Sequence, residues 1–215
     1  HFKSFTISRC CCFTIIYSSS ATIYGIPKYL PLHEDSQISP INVYGETKAE
    51  VEKILFNMSV KKNNYWRIAT LRYFNPVGAY PSGEMGEDPI THPNNLFPYI
   101  CKVAYGELER LNIFGNDWAT PDGTCIRDFI HVVDLAEAHC ATLVYLLKNK
   151  PTILNLNIGT GKGTSVLELV NTFMEVNKCK IPFAFTERRE GDVPLVVADN
   201  KLALKLLDWF PKRDL

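Results

Sequence analysis

The chain has 215 residues with 23 basic and 23 acidic side chains, so its formal net charge is zero. Hydrophobic residues make up 46% of it and charged residues 21%, a composition typical of a globular protein and not of a disordered chain. The zero charge argues against a nucleic-acid partner or a membrane surface bound through bulk electrostatics. No apolar run approaches the roughly 20 residues that a membrane-spanning helix needs.

The seven cysteines form no paired CxxC spacing and no Cys/His cluster, so the sequence predicts neither a disulfide framework nor a metal site. Unpaired thiols are typical of a reducing compartment, and we expect a cytoplasmic protein. Residues 1–21 have the outline of a signal peptide, with basic residues, an apolar run and small residues. The β-branched and aromatic run Phe13–Tyr17 fits a buried strand better.

Three apolar runs predict buried strands of a parallel sheet. They are Phe13–Ser19, Ile68–Phe74 and Ile153–Ile158. Helical patterns occur at 42–60, 95–106, 135–148, 165–177 and 200–208. The alternation of strands with helices predicts an α/β fold. The stretch from Pro76 to Pro93 is rich in glycine and proline, so we expect a long loop there, of the kind that often carries function.

The helix predicted at 42–60 carries the sharpest chemical pattern. Its apolar stripe, which includes Ile54 and Leu55, is expected to pack on the sheet, and Tyr44 and Lys48 fall on the inward face at about 100° per residue. The first turns of such a helix lie beside the carboxyl ends of the strands, where α/β sheets bind ligands. An ammonium favours the phenolate of a neighbouring tyrosine, which makes the pair a candidate general base. The spacing also fits a core tyrosine past which a lysine extends to solvent.

Several shorter signals accompany this pair. The hydroxyls of Ser18–Ser20 end the first strand where a ligand crevice would open, although serines also commonly begin loops. The cluster Gly159–Gly163 lacks the third glycine of a dinucleotide-binding turn, so we interpret it as a structural strand-to-helix turn. After it, Ser165 and Glu168 predict a capping box. Asp134 is predicted to cap the helix that follows it.

Eight motifs follow one another in order from about Ile15 to Trp209, with almost no gaps. They are Ser18–Gly25 (SSSATIYG), Tyr44–Lys48 (YGETK), Leu71–Ala79 (LRYFNPVGA), Gly86–Pro89 (GEDP), Pro93–Tyr99 (PNNLFPY), Ile113–Asp117 (IFGND), Asp122–Ala136 (DGTCIRDFIHVVDLA) and Arg188–Asp192 (RREGD). Together they resemble the UDP-glucose 4-epimerase family, a branch of the extended short-chain dehydrogenases/reductases. Residues 1–12 match nothing in that family, and its opening glycine-rich turn has no counterpart here. We therefore expect a fragment, or a gene model with a wrong first exon.

The resemblance implies part of a Rossmann-type, doubly wound parallel sheet with a smaller substrate-binding α/β domain. Residues 1–80 would be the C-terminal part of the NAD-binding Rossmann domain. Residues 81–215 would form mainly the UDP-sugar-binding domain, with segments at about 112–160 returning to the Rossmann sheet. The resemblance also implies a homodimer for the full-length protein.

The resemblance further implies an enzyme that interconverts UDP-glucose and UDP-galactose, in galactose metabolism, through a transient 4-keto sugar with tightly held NAD. Tyr44 would act as the base, and Lys48 would hold the nicotinamide ribose. Ser20 would bond to the sugar 4-oxygen, and Phe74 would line the nicotinamide pocket.

The resemblance also assigns residues that would bind the UDP-sugar. Asn75, Asn94, Asn95 and Leu96 would meet the sugar and diphosphate, Asn112, Ile113 and Phe114 would flank the uracil, Arg127 and Arg189 would bind the diphosphate, and Asp192 would take a ribose hydroxyl. Val196 stands where a bulky tyrosine confines members of the family to unacetylated sugars. The smaller valine leaves room for an acetamido group, so activity on UDP-N-acetylglucosamine is also expected.

These residues also have simpler interpretations. Arg127 and Arg189 could be surface partners of Asp128 and Glu190, pairs of the kind that contribute little to stability. His131 is expected to be a structural loop histidine and not a base.

Two other functions stay open at this point. A nucleotide-sugar dehydratase of the same family usually carries an acidic residue beside the serine-position hydroxyl, whereas here Ala21 and Thr22 follow Ser20. This favours the epimerase. A non-catalytic UDP-sugar-binding or partner-binding module would fit the missing glycine-rich turn, but the combination of Ser20, Tyr44 and Lys48 opposes it.

Overall fold

The computed structural model describes residues 13–60, 65–89, 93 and 95–215. The strands in these residues are β1 (Phe13–Ser20), β2 (Trp66–Tyr73), β3 (Asn75–Val77), β4 (Leu111–Phe114), β5 (Ile126–Arg127), β6 (Phe129–His131), β7 (Thr152–Ile158), β8 (Thr164–Ser165), β9 (Phe183–Thr186) and β10 (Leu195–Val196). The helices are α1 (Val43–Ser59), α2 (Leu96–Ala104), α3 (Val132–Lys148), α4 (Val166–Asn177) and α5 (Lys201–Leu207), with a 3-10 helix at Ala21–Tyr24. The predicted α/β fold is confirmed.

The main sheet has the order β1-β2-β7, and its strands are parallel. These are the three apolar runs that the sequence predicts as strands. Consecutive strand residues point to opposite faces. On one face Ser19 hydrogen-bonds to Glu52 of α1, and on the other Tyr73 hydrogen-bonds to His139 of α3. Helices therefore cover both faces, which is the expected doubly wound arrangement.

The described residues contain three hydrophobic clusters, of which two form the main cores. The first surrounds the main sheet and includes Leu71, Leu146 and Leu156. The second joins α2, β4 and α4, and β4 pairs in parallel with β9 there. Of the segment at about 112–160 that was expected to return to the Rossmann sheet, α3 and β7 lie on the main sheet. Residues 112–114 do not, because they belong to β4, which packs around the second core. We call the part of the fold around this second core the second unit.

Helix α1 begins one residue later than predicted and is capped by Asn42, whose Oδ1 accepts the N–H of Gly45 at 2.8 Å. Leu55 is buried as expected, but Ile54 is exposed, so its placement against the sheet was wrong. Glu52 is buried instead. The reason is an ion pair with Arg72 of β2, a partner that helical periodicity alone cannot reveal.

The helix caps beyond residue 130 show one correction and one confirmation. Helix α3 begins at Val132, and its cap is His131, whose Nδ1 accepts the N–H of Val133 at 3.1 Å. The predicted cap Asp134 was wrong, since it lies in the first turn, fully buried, and accepts the N–H groups of Lys212 and Arg213. The predicted capping box of Ser165 and Glu168 is present at the start of α4.

Candidate active site

The carboxyl end of β1 brings Ser20 against the start of α1. Ser20 Oγ accepts hydrogen bonds from the N–H and the hydroxyl of Thr22, at 3.2 and 3.0 Å. Gly45 lets α1 approach this turn, because a Cβ there would lie 2.9 Å from the Thr22 carbonyl oxygen. The residue before Gly45 is Tyr44, so the glycine brings the first turn of the helix close to the serine end of the strand.

Lys48 lies between two tyrosine rings. Its Nζ donates to the Ser18 carbonyl at 2.8 Å and lies 5.1 Å from the Tyr17 ring centroid and 5.4 Å from that of Tyr44. Ammonium groups at this distance from an aromatic face are attracted by the ring quadrupole. The sequence predicted the Tyr44–Lys48 neighbourhood, but it did not reveal Tyr17.

Tyr44 itself is 55% exposed, so the expectation that it packs on the sheet was wrong, and so was the alternative of a core tyrosine. Tyr44 lies in the first turn of α1, whose Gly45 approaches the turn that follows β1. The phenol is therefore open to a ligand, with a cation beside it.

A buried polar network lies between α1 and the sheet, next to the Ser20 end of β1. Arg72 donates to Glu52 from Nε at 3.1 Å and from Nη2 at 2.7 Å, and Ser19 Oγ donates to Glu52 at 2.6 Å. Arg72 Nη1 also donates to the Tyr24 hydroxyl at 2.9 Å. Burial raises the pKa of Tyr24 to about 12. Arg72 of β2 therefore connects α1 with the 3-10 helix, and Glu52 connects α1 with β1.

A second hydrogen-bonded chain leaves Ser18 on the opposite face of the sheet. The Tyr73 hydroxyl donates to Ser18 Oγ at 2.7 Å and also meets Nε2 of His139. Burial raises the pKa of Tyr73 and lowers the pKa of His139. These hydrogen bonds could not be predicted from the sequence, because the residues that form them come from β1, β2 and α3.

Phe74 and Val196 belong to one apolar cluster, which includes residues of the 3-10 helix that follows Ser20. Phe74 is buried with Ile23 and Leu32, and Val196 packs against the cluster from β10. The two predicted residues thus lie close to the 3-10 helix that follows Ser20.

The predicted uracil residues alternate along β4. Asn112 and Phe114 lie on its exposed face, whereas the Ile113 side chain is 1% exposed and belongs to the second core. The Ile113 side chain therefore points away from the exposed face of β4, because a strand alternates its side chains between its two faces. On the exposed face, Ile113 offers its backbone between Asn112 and Phe114.

Arg127 faces Asp192 and not its neighbour Asp128. Its Nη2 lies 3.4 Å from Asp192 Oδ1, and its Nη1 donates to the Val193 carbonyl at 2.8 Å. The simpler interpretation of an Arg127–Asp128 pair was wrong. The Asp128 carboxylate instead accepts the N–H groups of Thr160 and Gly161. It thereby fills the glycine-rich turn at 159–163 with an internal anion, which fits the structural role expected for that turn.

The remaining predicted residues are spread around the second unit. Asn75 lies in β3, and Leu96 begins α2 and packs on the second core. Asn95 Nδ2 donates to Glu87 Oε1 at 2.6 Å. Asn94 lies outside the described residues. The Arg189 carbonyl accepts the N–H of Asp192 at 3.1 Å, in the turn between β9 and β10.

The described residues contain neither a metal-ligand cluster nor a membrane-spanning helix. No group of three or more His, Cys, Asp or Glu side chains in these ranges could hold a metal ion. Nor is any helix there long and apolar enough to cross a membrane.

A cavity of about 670 Å³ lies between α2, α4 and residues 211–215. Its described lining contains none of the predicted site residues. The cavity is therefore separate from the site around Tyr44.

Comparison with known proteins gives consistent matches. The profile of the NAD dependent epimerase/dehydratase family matches residues 6–159. The UDP-glucose 4-epimerase of Bacillus subtilis is 49% identical over 201 residues, which are 94% of this chain and 59% of that protein. The UDP-glucose 4-epimerase of Dictyostelium discoideum is 49% identical over 195 residues, which are 91% of this chain and 56% of that protein.

Solved structures agree with these sequence matches. A UDP-glucose 4-epimerase from Stenotrophomonas maltophila, with bound NAD and formylated UDP-arabinopyranose, superposes with a TM-score of 0.90 at 42% identity, covering 94% of this chain and 60% of that one. The enzyme from Bifidobacterium longum, in complex with NAD+ and UDP, gives 0.89 at 45% identity with the same coverage. The chain spans about 60% of the length of the relatives it matches.

Proposed function

This chain belongs to the NAD dependent epimerase/dehydratase family, and we propose that it carries the catalytic and substrate-binding residues of a 4-epimerase that interconverts UDP-glucose and UDP-galactose. One observation carries the proposal: the Lys48 ammonium stands beside the exposed Tyr44 ring, anchored on the Ser18 carbonyl. Relatives that carry the name UDP-glucose 4-epimerase support the choice of reaction.

The residues present fit the nicotinamide and ribose end of NAD. Lys48 uses one N–H bond for Ser18 and keeps others for ribose hydroxyls. Phe74 lies in the apolar cluster next to the 3-10 helix that follows Ser20, and it would line the nicotinamide side of the site. When bound there, NAD would supply reversible hydride acceptance for oxidation and reduction at the sugar 4-carbon. Phosphate binding by the turn at 159–163 is not part of this proposal, because Asp128 already occupies its N–H groups.

The chain's own residues would move and hold one proton. Tyr44, as the phenolate, would remove the proton of the sugar 4-hydroxyl and later return it. Lys48 would stabilise the negative phenolate oxygen, and Ser20 would hold the sugar 4-oxygen by a hydrogen bond. Because Tyr44 is exposed in the free chain, a bound sugar would displace water from it and strengthen its attraction to Lys48.

We propose that the second unit binds the UDP part of the substrate. Arg127 and Arg189 would bind the diphosphate, for which planar guanidinium groups are well suited. Asp192 would take a ribose hydroxyl, and Asn112, Phe114 and the Ile113 backbone would flank the uracil. Asn75, Asn94, Asn95 and Leu96 would meet the sugar and the diphosphate.

Val196 extends the proposed substrate range to N-acetyl sugars. Val196 packs on the cluster that contains Phe74, and it would occupy less of the space near the sugar 2-position than a tyrosine would. We therefore infer that UDP-N-acetylglucosamine is accepted together with UDP-glucose.

A dehydratase reaction is the second candidate and is less well supported. It would need an acid beside Ser20 to protonate a leaving water. The group that donates to Ser20 is the neutral hydroxyl of Thr22, and Ala21 precedes it.

Two further proposals follow from the same resemblance: a homodimer, and a cytoplasmic role in galactose metabolism. The free thiols of the four described cysteines are compatible with that compartment.

Tyr44→Phe tests the proposed reaction in the protein that contains this chain. We expect epimerisation of UDP-galactose to fall by about 100- to 10,000-fold, the range over which a general base contributes, because phenylalanine cannot accept the proton. The affinity for UDP, measured by titration calorimetry, should not change. The control is Tyr105→Phe at an exposed tyrosine in another part of the fold. Near-normal turnover in Tyr44→Phe would refute the assignment of the base.

A further inference from the structure

One arginine ties together the two segments that follow the paired strands β4 and β9. Arg188 donates to Asp117 from Nε to Oδ1 at 2.8 Å and from Nη2 to the carbonyl at 2.7 Å. The Arg188 guanidinium carbon lies 4.1 Å from the Trp118 ring centroid. Trp118 Nε1 donates to the Phe114 carbonyl at 3.1 Å. We call the side chains of Asp117, Trp118 and Arg188 the loop clamp.

The loop clamp is built around Gly115. This residue has a φ of +80°, and its N–H donates to the Thr186 carbonyl at 2.9 Å. A Cβ at this position would collide with Trp118 Nε1 and lie 3.1 Å from Arg188 Cγ. Glycine permits both this backbone conformation and the close approach. The turn after β4 is therefore shaped to receive the tryptophan and the arginine.

The loop clamp connects two parts of the proposed UDP site. Phe114, whose carbonyl it holds, ends β4 with its side chain exposed. Arg189 follows Arg188 directly, and its carbonyl is bonded to the N–H of Asp192. The position of Arg189 therefore depends on how Arg188 is held, although the clamp residues are not among those proposed to bind UDP.

We propose that Arg188 is a positioning residue for nucleotide binding, which holds residues 114–118 and 186–192 at the separation that a nucleoside diphosphate needs. This inference rests on the proposed function of the second unit. Arginine suits the task because its planar guanidinium can donate along its edge to Asp117 while its face stacks on Trp118. Preorganisation of this kind increases affinity by reducing the ordering that binding requires.

A merely structural role makes a different prediction. Arg188 and Asp117 are both largely exposed, and an exposed ion pair contributes little to folding. If Arg188 were only an exposed surface residue, it would therefore affect UDP binding only through its positive charge. A positioning residue would affect it through the geometry of its fork and its stack, which lysine lacks.

The test compares UDP affinities by titration calorimetry of the full chain. We expect Arg188→Ala to raise the dissociation constant of UDP by about tenfold, since it removes two charge-assisted hydrogen bonds and a cation–π contact. Arg188→Lys should recover only part of this loss. Arg110→Ala is the matched control, because Arg110 is an exposed arginine at the opposite end of β4. It should leave the affinity unchanged, and all variants should keep the unfolding temperature of the wild type.

Trp118→Phe gives a second test that leaves Arg188 in place. It keeps an aromatic face but removes the Nε1 donor to Phe114, so we expect a smaller loss of UDP affinity. The inference is overturned if Arg188→Ala binds UDP as tightly as the wild type, if Arg110→Ala loses as much affinity, or if Arg188→Lys recovers all of it. Failure of the wild type to bind UDP would instead overturn the proposed function, together with this inference.

Discussion

Two arginine–carboxylate pairs of this chain use the same chemistry in opposite surroundings. The Arg72 and Glu52 side chains meet at 2.7 Å and are 2% and 7% exposed. The Arg188 and Asp117 side chains meet at 2.8 Å and are 46% and 66% exposed. Similar distances thus accompany very different burial. The first pair is buried between α1 and β2, and the second lies at the surface beside the proposed nucleotide site.

Burial determines what each pair can do. A buried charge loses its hydration, and only complete hydrogen bonding can compensate for that loss. Arg72 achieves this with Glu52, the Tyr24 hydroxyl and the Glu34 carbonyl. Within the described residues, no buried side-chain nitrogen or oxygen lacks a hydrogen-bond partner. The exposed pair keeps water as an alternative partner, so it can organise a binding loop while contributing little to the fold.

The largest effect that tests this contrast is expected from Arg72→Leu. The change leaves Glu52 buried without its cation, which typically costs about 3–5 kcal/mol of the free energy of unfolding. Urea denaturation measures it directly. Arg188→Leu is the counterpart and should leave the urea midpoint unchanged.

A double replacement, Arg72→Leu with Glu52→Leu, identifies the source of that cost. We expect it to recover most of the lost stability, because the cost arises from the unpaired carboxylate and not from the missing attraction. If the double variant is as unstable as Arg72→Leu, or if Arg188→Leu is equally unstable, the contrast between the two pairs is incorrect.

The next effect concerns pH and the Tyr24 hydroxyl at the edge of the buried pair. Burial raises its pKa to about 12, against about 10 in an unfolded chain. Its protonated form is therefore favoured by folding, so its contribution is complete below about pH 10 and is lost as the pH rises through about 12. The difference of about two units corresponds to about 2–3 kcal/mol.

Alkaline unfolding of Tyr24→Phe tests this sign. The variant should lose the part of the pH dependence between about pH 10 and 12 that belongs to Tyr24. The control is Tyr29→Phe, because Tyr29 is 85% exposed and should change nothing. A wild-type slope that persists in Tyr24→Phe would show that the buried phenol does not govern alkaline stability.

The contrast between buried and exposed residues also explains which parts of the fold could be predicted from the sequence. Runs of β-branched and apolar residues predicted all three strands of the main sheet, because burial on both faces leaves a continuous apolar pattern. Glu52 escaped prediction because its partner Arg72 comes from a different element. The signal that could have found the pair is Arg72 itself, a charge within the apolar run Ile68–Phe74, which requires a buried partner.

The proximity of two side chains was predictable where both come from one element. Tyr44 and Lys48 share one helix, so their spacing placed them together. The simpler interpretation paired Arg127 with its neighbour Asp128, but the Asp128 carboxylate accepts the N–H groups of Thr160 and Gly161. The actual partner, Asp192, lies far along the chain, where only the tertiary fold could bring it close.

The smallest predicted effect lies at β10, between the buried cluster and the proposed nucleotide site. Val196 packs on the cluster that contains Phe74, and its register partner on β5 is Arg127. Val196→Tyr adds a ring where the proposal places the sugar 2-substituent. We expect kcat/KM for UDP-N-acetylglucosamine to fall about tenfold relative to UDP-glucose, about 1.4 kcal/mol, because a close-packed pocket does not accept extra atoms without strain. Val196→Ile is the control and should leave the ratio nearly unchanged. Absence of wild-type activity on the N-acetyl sugar, or an unchanged ratio in Val196→Tyr, would show that Val196 does not set the substrate range.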